Sequence, residues 1–576
     1  MAMDGAVRML GRLGSLRRGP SLLALAAGFT ALVAAFAPAA RADTICVGPH
    51  PPCVATIPKA VRAAADGDLI RVRAGTFAGG FRIDKSVHLV GAGADETTIR
   101  GGGPAVVIGR RGAASEPTVS IGRVTIRGGD TAGNGFVAIG GGIYVPFSAG
   151  FQPGATLTVN NSVITGNRAA PTMTVPSGIP CPGGDCPFAL AAGGGIGSFG
   201  TVTVKNTEVS DNRAAGVASD ADGAGVGALL GSVRLVNSHV TGNRALATKP
   251  NGRFAEGGGV YANTGVSSVT VRGSEIAGNS TNLRSDLPYS FDDGTTIDMN
   301  SNSGGIHVAD GITTEVVNSA IVDNRVKAID ANGEPSSFDG GMLVGNGSEL
   351  TMRRTTVAGN QVTARLASNA DVGPAGTALE LDGGGTISDS HIDGNGVTVT
   401  SPRGLAAVTG GLAVFTFEGT PSPVLVRGTS IKGNTVHASS GSGAAAVQGA
   451  GVLNNSLLTL RDDEVSRNTG VAAAPDGFAQ GGGIWNGILL SGPPVHLKLN
   501  RTPVTRNSLS ASGLEIDGGG LYTTRRVTLT DSPIRNNLPD QCFGCSSHAA
   551  AHRAPAGAGS ARTAAADSLT RGELTR

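Results

Sequence analysis

The sequence predicts an all-β solenoid, and three repeated features carry that prediction. The first is the hexapeptide S/T-x-[V/I]-x-x-N, whose aligned copies end at Asn167, Asn212, Asn243, Asn279, Asn324, Asn360, Asn395, Asn434, Asn468, Asn507 and Asn537. These asparagines lie 30 to 45 residues apart, a period typical of stacked coils or propeller blades. The second is a short alternating strand just upstream, such as Val202 and Val204, Val269 and Val271, or Leu458 and Leu460. Apolar residues at i and i+2 face one side of a strand. The third is Gly-Gly-Gly-apolar at Gly140–Ile143, Gly193–Ile196, Gly257–Val260, Gly481–Ile484 and Gly518–Leu521. Looser forms stand at Gly223–Val226, Gly304–Ile306, Gly340–Met342, Gly410–Leu412 and Gly449–Val452.

Each feature has a mechanical reason. The third hexapeptide position is Val or Ile in every copy, from Ile164 to Ile534, which fits a β-branched column stacked on its own repeats. Asparagine tolerates the left-handed backbone of a tight turn, and its amide can bond the same amide one coil away. Eleven asparagines in one role exclude a catalytic reading. Glycine runs permit close backbone approach. A phosphate-cradling loop would need a helix after the glycines, and a strand follows instead. Each period therefore offers a strand after the glycines, a strand before the turn and a short strand through Val/Ile. Three strands and three turns per period predict a right-handed parallel β-helix of about twelve coils. Propeller blades would show aromatic signatures, but aromatics are 4% of the chain; collagen would need glycine at every third residue.

With these motifs in place, residues 57 to 545 resemble the pectin-lyase-like β-helix superfamily. The paired repeats also resemble the GGA-I/L/V and FxxN repeats of polymorphic outer membrane proteins, with Val or Ile in place of Phe. The resemblance implies a fold and leaves activity open, because one fold hosts many functions. Enzymes of the superfamily act mainly on acidic polysaccharides. The hydrolase motifs Gly-His-Gly and Arg-Ile-Lys are missing here.

The organisation is read from the ends inward. Residues 1–42 form a signal peptide: Arg8, Arg12, Arg17 and Arg18, then apolar Ser21 to Phe36, then Ala40-Arg41-Ala42 as an A-x-A cleavage site. Arg17-Arg18 hints at twin-arginine export, but Gly19-Pro20 favours the general route. Removing this segment, with its five arginines and Asp4, takes the formal charge from +2 to −2. A near-neutral chain points away from nucleic acid and anionic membranes. Residues 43–104 are the N-terminal cap and first coil, with a short helix at Ala60 to Ala65 over the open end of the stack and Phe81 to Ile99 as the first coil. Residues 105–545 carry the repeats, beginning with an imperfect one at Val119 to Gly129. Residues 546–576, rich in Ala, Ser, Gly and Arg, are expected to be disordered. No transmembrane anchor is expected after signal cleavage. Six cysteines form three close pairs, Cys46 with Cys53, Cys181 with Cys186 and Cys542 with Cys545, as expected of local disulfides in an exported protein. A redox or zinc role for Cys542 and Cys545 would need a thioredoxin-like helix or a second CxxC.

Function then falls to loops and outward side chains. The segments between asparagine and glycine vary most in length, 25 residues for 168–192 and 24 for 280–303 against 10 for 213–222 and 508–517. The second long segment carries Tyr289, Phe291, Asp292, Asp293 and Asp298, a set suited to sugar stacking with hydrogen bonding or to Ca²⁺ held by carboxylates, beside the simpler reading of a solvated loop. Beyond that possible Ca²⁺, no cofactor or metal is implied. Glu208, His239 and Glu275 occupy one outward position on successive coils. They are candidates for general acid/base chemistry, or a surface charge ladder. His391 repeats the position without acidic neighbours. The expectation is a secreted, non-catalytic protein in envelope contact, adhesion or glycan binding, with polysaccharide or a cell-envelope glycan as partner. The alternative is a polysaccharide lyase or related carbohydrate-active enzyme. The sequence does not specify an oligomeric state.

Overall fold

The computed structural model describes residues 42–132, 135–172, 189–216, 220–248, 254–284, 301–331, 338–366, 372–404, 406–416, 422–489, 494–513 and 515–545. All six sheets are parallel, and the chain winds as a right-handed parallel β-helix. The alternating strands stack into a long 15-stranded sheet, from Thr44–Val47 to Arg526–Thr530. The Val/Ile strands form a 14-stranded sheet, from Gly75–Ala78 to Ile534–Arg535. The strands after the glycines form another of 14, the glycine-side sheet, from Phe81–Ile83 to Cys542–Phe543.

Like stacks on like. Ile164, Val209, Val240, Ile276, Ile321, Val357, Ile392, Ile431, Val465 and Val504 sit in direct register and all are 0% exposed. At about 25 cal/mol per Å² of apolar surface, such a column gives each coil a share of one continuous core.

The coil differs from the expected three strands. After the asparagine the chain leaves the triangular stack as an outgoing strand, for example Arg244–Ala247, in an 11-stranded sheet. It comes back as a return strand before the glycines, for example Phe254–Glu256, in patches of four and five strands. Together these strands make a fin with its own core, in which alanines such as Ala214, Ala245, Ala255, Ala438 and Ala479 are mixed with larger residues such as Val326, Phe338 and Val362. Alanine gives a weak strand signal, so in sequence the fin looks like a variable loop.

The asparagines form one ladder through all eleven coils. Each Nδ2 donates to the Oδ1 of the next asparagine at 2.9–3.0 Å. Each also donates to the carbonyl of the Val/Ile column one coil back, as Asn324 does to Ile276. Gln541 closes the ladder, its Oε1 accepting from Asn537 N and Nδ2. The left-handed residue is not the asparagine but the one before it, such as Gly166, Asp211, Gly242 or Asp323, with φ of 53–65°. The turn is thus made one position early, which frees the asparagine to face inward. The leading Ser/Thr of the hexapeptide has a parallel role: the Ser238 N–H donates to Ser274 Oγ, and the Thr355 N–H to Ser390 Oγ.

The cap helix is Ile57–Ala63, three residues earlier than expected at its start, because the Thr56 side chain caps it by accepting from Lys59 N. Its Ile57, Ala60 and Val61 cover the core. Cys46 is bonded to Cys53 and Cys542 to Cys545; Cys181 and Cys186 lie outside the described residues, as do the proposed signal peptide to residue 41 and the tail from 546. Among the described residues no helix is long and apolar enough to cross a membrane.

Candidate functional site

The ladder read from sequence exists in register: Glu208 pairs with His239 and His239 with Glu275 across adjacent strands of the Val/Ile sheet. His239 Nδ1 lies 3.0 Å from Glu275 Oε2, on side chains 61% and 43% exposed. No bond joins Glu208 to His239 among the described residues. A pair this open on a flat sheet is screened by water and contributes little. His391 does have an acidic neighbour, contrary to expectation: Asp393, two residues along its own strand, lies 3.6 Å away, and Ser430 Oγ is 2.8 Å from His391 Nδ1. Alternation puts residues i and i+2 on one face, so the acid comes from the same strand rather than the next coil. Tyr289, Phe291, Asp292, Asp293 and Asp298 lie outside the described residues.

A second cluster was not anticipated. In the strand Val260–Ala262, Val260 and Ala262 enter the main core, so Tyr261 points out. His307 and Glu380 hold the same outward position in Ile306–Val308 and Thr377–Leu381. In the return strands Ala221 and Ala255 face the fin core, so Asp222 and Glu256 face away from it, opposite one another in register. The two walls meet: Glu256 Oε2 is 3.8 Å from His307 Nε2, and Asn302 Nδ2 donates to Glu256 Oε1 at 3.4 Å. The Tyr261 and His307 rings lie 5.2 Å apart. Further along, Thr377 Oγ1 donates to Asp339 Oδ1 at 2.9 Å, with Glu380 and Asp382 beside them.

Burial sets the protonation of this angle between sheet and fin. It pushes Glu256 up to about 7, against the Asn302 amide. Asp222 is raised well above the usual carboxylate range by burial first, then by the charges of Glu256 and Asp220. His307 is pulled down to about 4 by burial, which outweighs Asp339 and Asp310. The Glu256–His307 contact is therefore between a carboxyl that holds its proton near neutrality and a neutral imidazole, not a full ion pair. Burial, then Asp339, raises Glu380 and Asp382 well above their ordinary values. Several buried atoms have no hydrogen-bond partner: Asp222 Oδ1, Asn302 Oδ1, Ser303 Oγ, His307 Nδ1 and Asp382 Oδ1, on residues at most 9% exposed. Such atoms call for water or a ligand. Among the described residues no group of three or more His, Cys, Asp or Glu side chains is arranged to hold a metal ion.

A sequence signal for this site did exist. Ser303, Asp339 and Thr409 replace the first glycine beside looser forms of the marker, and Thr377 holds the same position on a coil whose marker glycines are gone. These departures lie on the coils from His307 onward, whereas Asp222 and Glu256 stand directly before intact marker glycines, Gly223 and Gly257.

No protein-family model matches this chain, and no curated protein does. Among solved structures it is similar to the Azotobacter vinelandii mannuronan C-5 epimerase AlgE6 A-module, at 11% identity over 82% of this chain and 92% of the other, with a TM-score of 0.25. It is also similar to the PL6 family alginate lyase AlyGC, at 10% identity over 87% of this chain and 99% of the other, with a TM-score of 0.17. Values this low leave function to be argued from the site.

Proposed function

We propose that the chain is a secreted carbohydrate-active protein that cleaves glycosidic bonds of an extracellular polysaccharide, with Asp222 and Glu256 as its pair of catalytic carboxyls. The observation that carries this reading is the pair itself, two buried carboxyls side by side on adjacent coils. Strands about 4.8 Å apart place such carboxyls near the ~5 Å separation that retaining hydrolysis uses. Burial raises both carboxyls, and the Glu256 charge raises Asp222 further, so one member can hold a proton to donate while the other is charged. A lyase would need a cation to neutralise a uronate carboxylate beside the abstracted proton. No lysine or arginine acts on the pair among the described residues. The two disulfides and the export-type segment 1–42 support secretion.

Near-complete burial of the cluster favours a second reading, glycan binding or structural polarity without turnover. One experiment separates them: the full chain against a panel of neutral, cationic and uronate polysaccharides, assayed for new reducing ends and for unsaturated products. Reducing ends lost on Glu256→Gln, with no unsaturated product, are expected. Unsaturated products would make the chain a lyase, and no turnover on any polymer would leave the non-catalytic reading.

A further inference from the structure

We infer that the angle between the glycine-side sheet and the fin takes a cationic glycan, one bearing amino-sugar ammonium groups, rather than a polyuronate; the inference rests on the carbohydrate reading of the same site. The first argument is charge. The groups that act on Asp222, Tyr261, His307, Glu380 and Asp382 are acidic: Asp220, Asp222, Glu256, Asp310, Asp339 and Asp382. Described cations of these coils lie elsewhere. Arg213, Arg244 and Arg325 begin outgoing strands, while Arg234 and Arg272 belong to the long sheet. A polyuronate would find no cation to pair with here and would oppose ionisation of the buried carboxyls.

The second argument is hydrogen-bond demand. The unpartnered oxygens Asp222 Oδ1, Asn302 Oδ1 and Asp382 Oδ1 are acceptors when the acids are ionised. They call for a ligand rich in donors. Sugar hydroxyls supply some; an ammonium supplies three N–H donors and the missing positive charge. Neighbouring carboxyls one coil apart cannot both ionise unless something positive lies between them. An ammonium group can displace the proton the pair otherwise shares, so binding releases a proton, whereas an uncharged sugar leaves that proton in place.

The test is titration calorimetry of the chelator-treated full chain at pH 6, in buffers of different ionisation enthalpy. The probes are hexamers of glucosamine, of N-acetylglucosamine and of galacturonate, with calcium alone as a control. The glucosamine hexamer is expected to bind at least about tenfold more tightly than its acetylated counterpart, with net proton release and weakening by salt. Asp222→Asn and Glu256→Gln should each remove most of that preference and the proton release, with folding checked by circular dichroism. The comparison of free and acetylated amines within the wild-type chain decides the matter even if a variant misfolds. Equal binding of the two hexamers, tighter binding of galacturonate, no binding of any probe, or proton release by calcium that blocks the sugar would each overturn the inference. Tight glucosamine binding without bond cleavage would sink the hydrolytic reading and leave this one. Glu256-dependent cleavage of a neutral or uronate polymer would do the reverse.

Discussion

Replacing Asn324 by Ala removes the most connected side chain of a typical coil. Its Nδ2 donates to Asn360 Oδ1 at 3.0 Å and to the Ile276 carbonyl at 2.9 Å. Its Oδ1 accepts from Asn279 N and Nδ2, both at 3.0 Å. Alanine deletes all four bonds. Asn279 Nδ2 keeps the Val240 carbonyl and Asn360 Oδ1 keeps the Asn324 amide, so the Asn279 N–H and the Ile276 carbonyl are the groups left short. With a net contribution near 1 kcal/mol per bond and a penalty of similar size for each buried orphan, the loss is about 2–4 kcal/mol. Asn324→Asp should be worse near neutral pH, because a buried carboxylate would face the Ile276 carbonyl and Asn360 Oδ1, both acceptors. It should recover partly in acid, when protonation restores a donor. Urea unfolding followed by circular dichroism measures both. Wild-type midpoints for the two variants would mean that the ladder does not hold the coils together.

Ile321→Asp should cost several kcal/mol and unfold or strongly destabilise the middle coils, since its column position is fully buried between Ile276 and Val357; an unchanged melting curve contradicts the core assignment. Asp463 interrupts the Ser/Thr column, and burial pushes its carboxyl up to about 7 despite two backbone donors. A carboxyl raised in the fold holds its proton more tightly there than in the unfolded chain. Its contribution is therefore favourable below about pH 4 and is lost as pH climbs towards 7. Asp463→Thr should flatten that part of the stability profile, and an identical pH dependence in the variant would refute the burial argument. Thiol titration of oxidised protein should find no free cysteine, and peptide mapping should join Cys181 to Cys186; a bridge from Cys53 to Cys181 would contradict the local scheme.

The sequence was most informative where one residue type does one job repeatedly. The Val/Ile column and the asparagines announce the main stack, because each coil must satisfy the same neighbour above and below. The fin was not legible, since alanines such as Ala214, Ala245 and Ala438 are mixed in its core with valines such as Val326, Val362 and Val436, so no one residue type repeats from coil to coil. The turn was misplaced by one residue because glycine, aspartate and arginine share the position before the asparagine, hiding a common backbone state behind different side chains. The cluster at Asp222, Glu256 and His307 was missed for a different reason. Asp222, Glu256 and Asn302 stand directly before the marker, with Tyr261 and His307 five residues further on, but this position read as the end of a variable loop rather than as a strand. Glu208, His239 and Glu275 stood out because each sits four residues before the asparagine of its coil, yet their exposure leaves them little electrostatic leverage.

Hydrogen exchange of the full chain, with and without a glycan that it binds, tests the location of the site most directly. The expected result is ligand-induced protection confined to the two walls around Asp222, residues 254–262 and 302–308, with the outer face of the Val/Ile sheet unchanged. Protection instead at residues 208–210, 239–241 and 275–277 would place the glycan on the exposed His239 ladder and contradict the account.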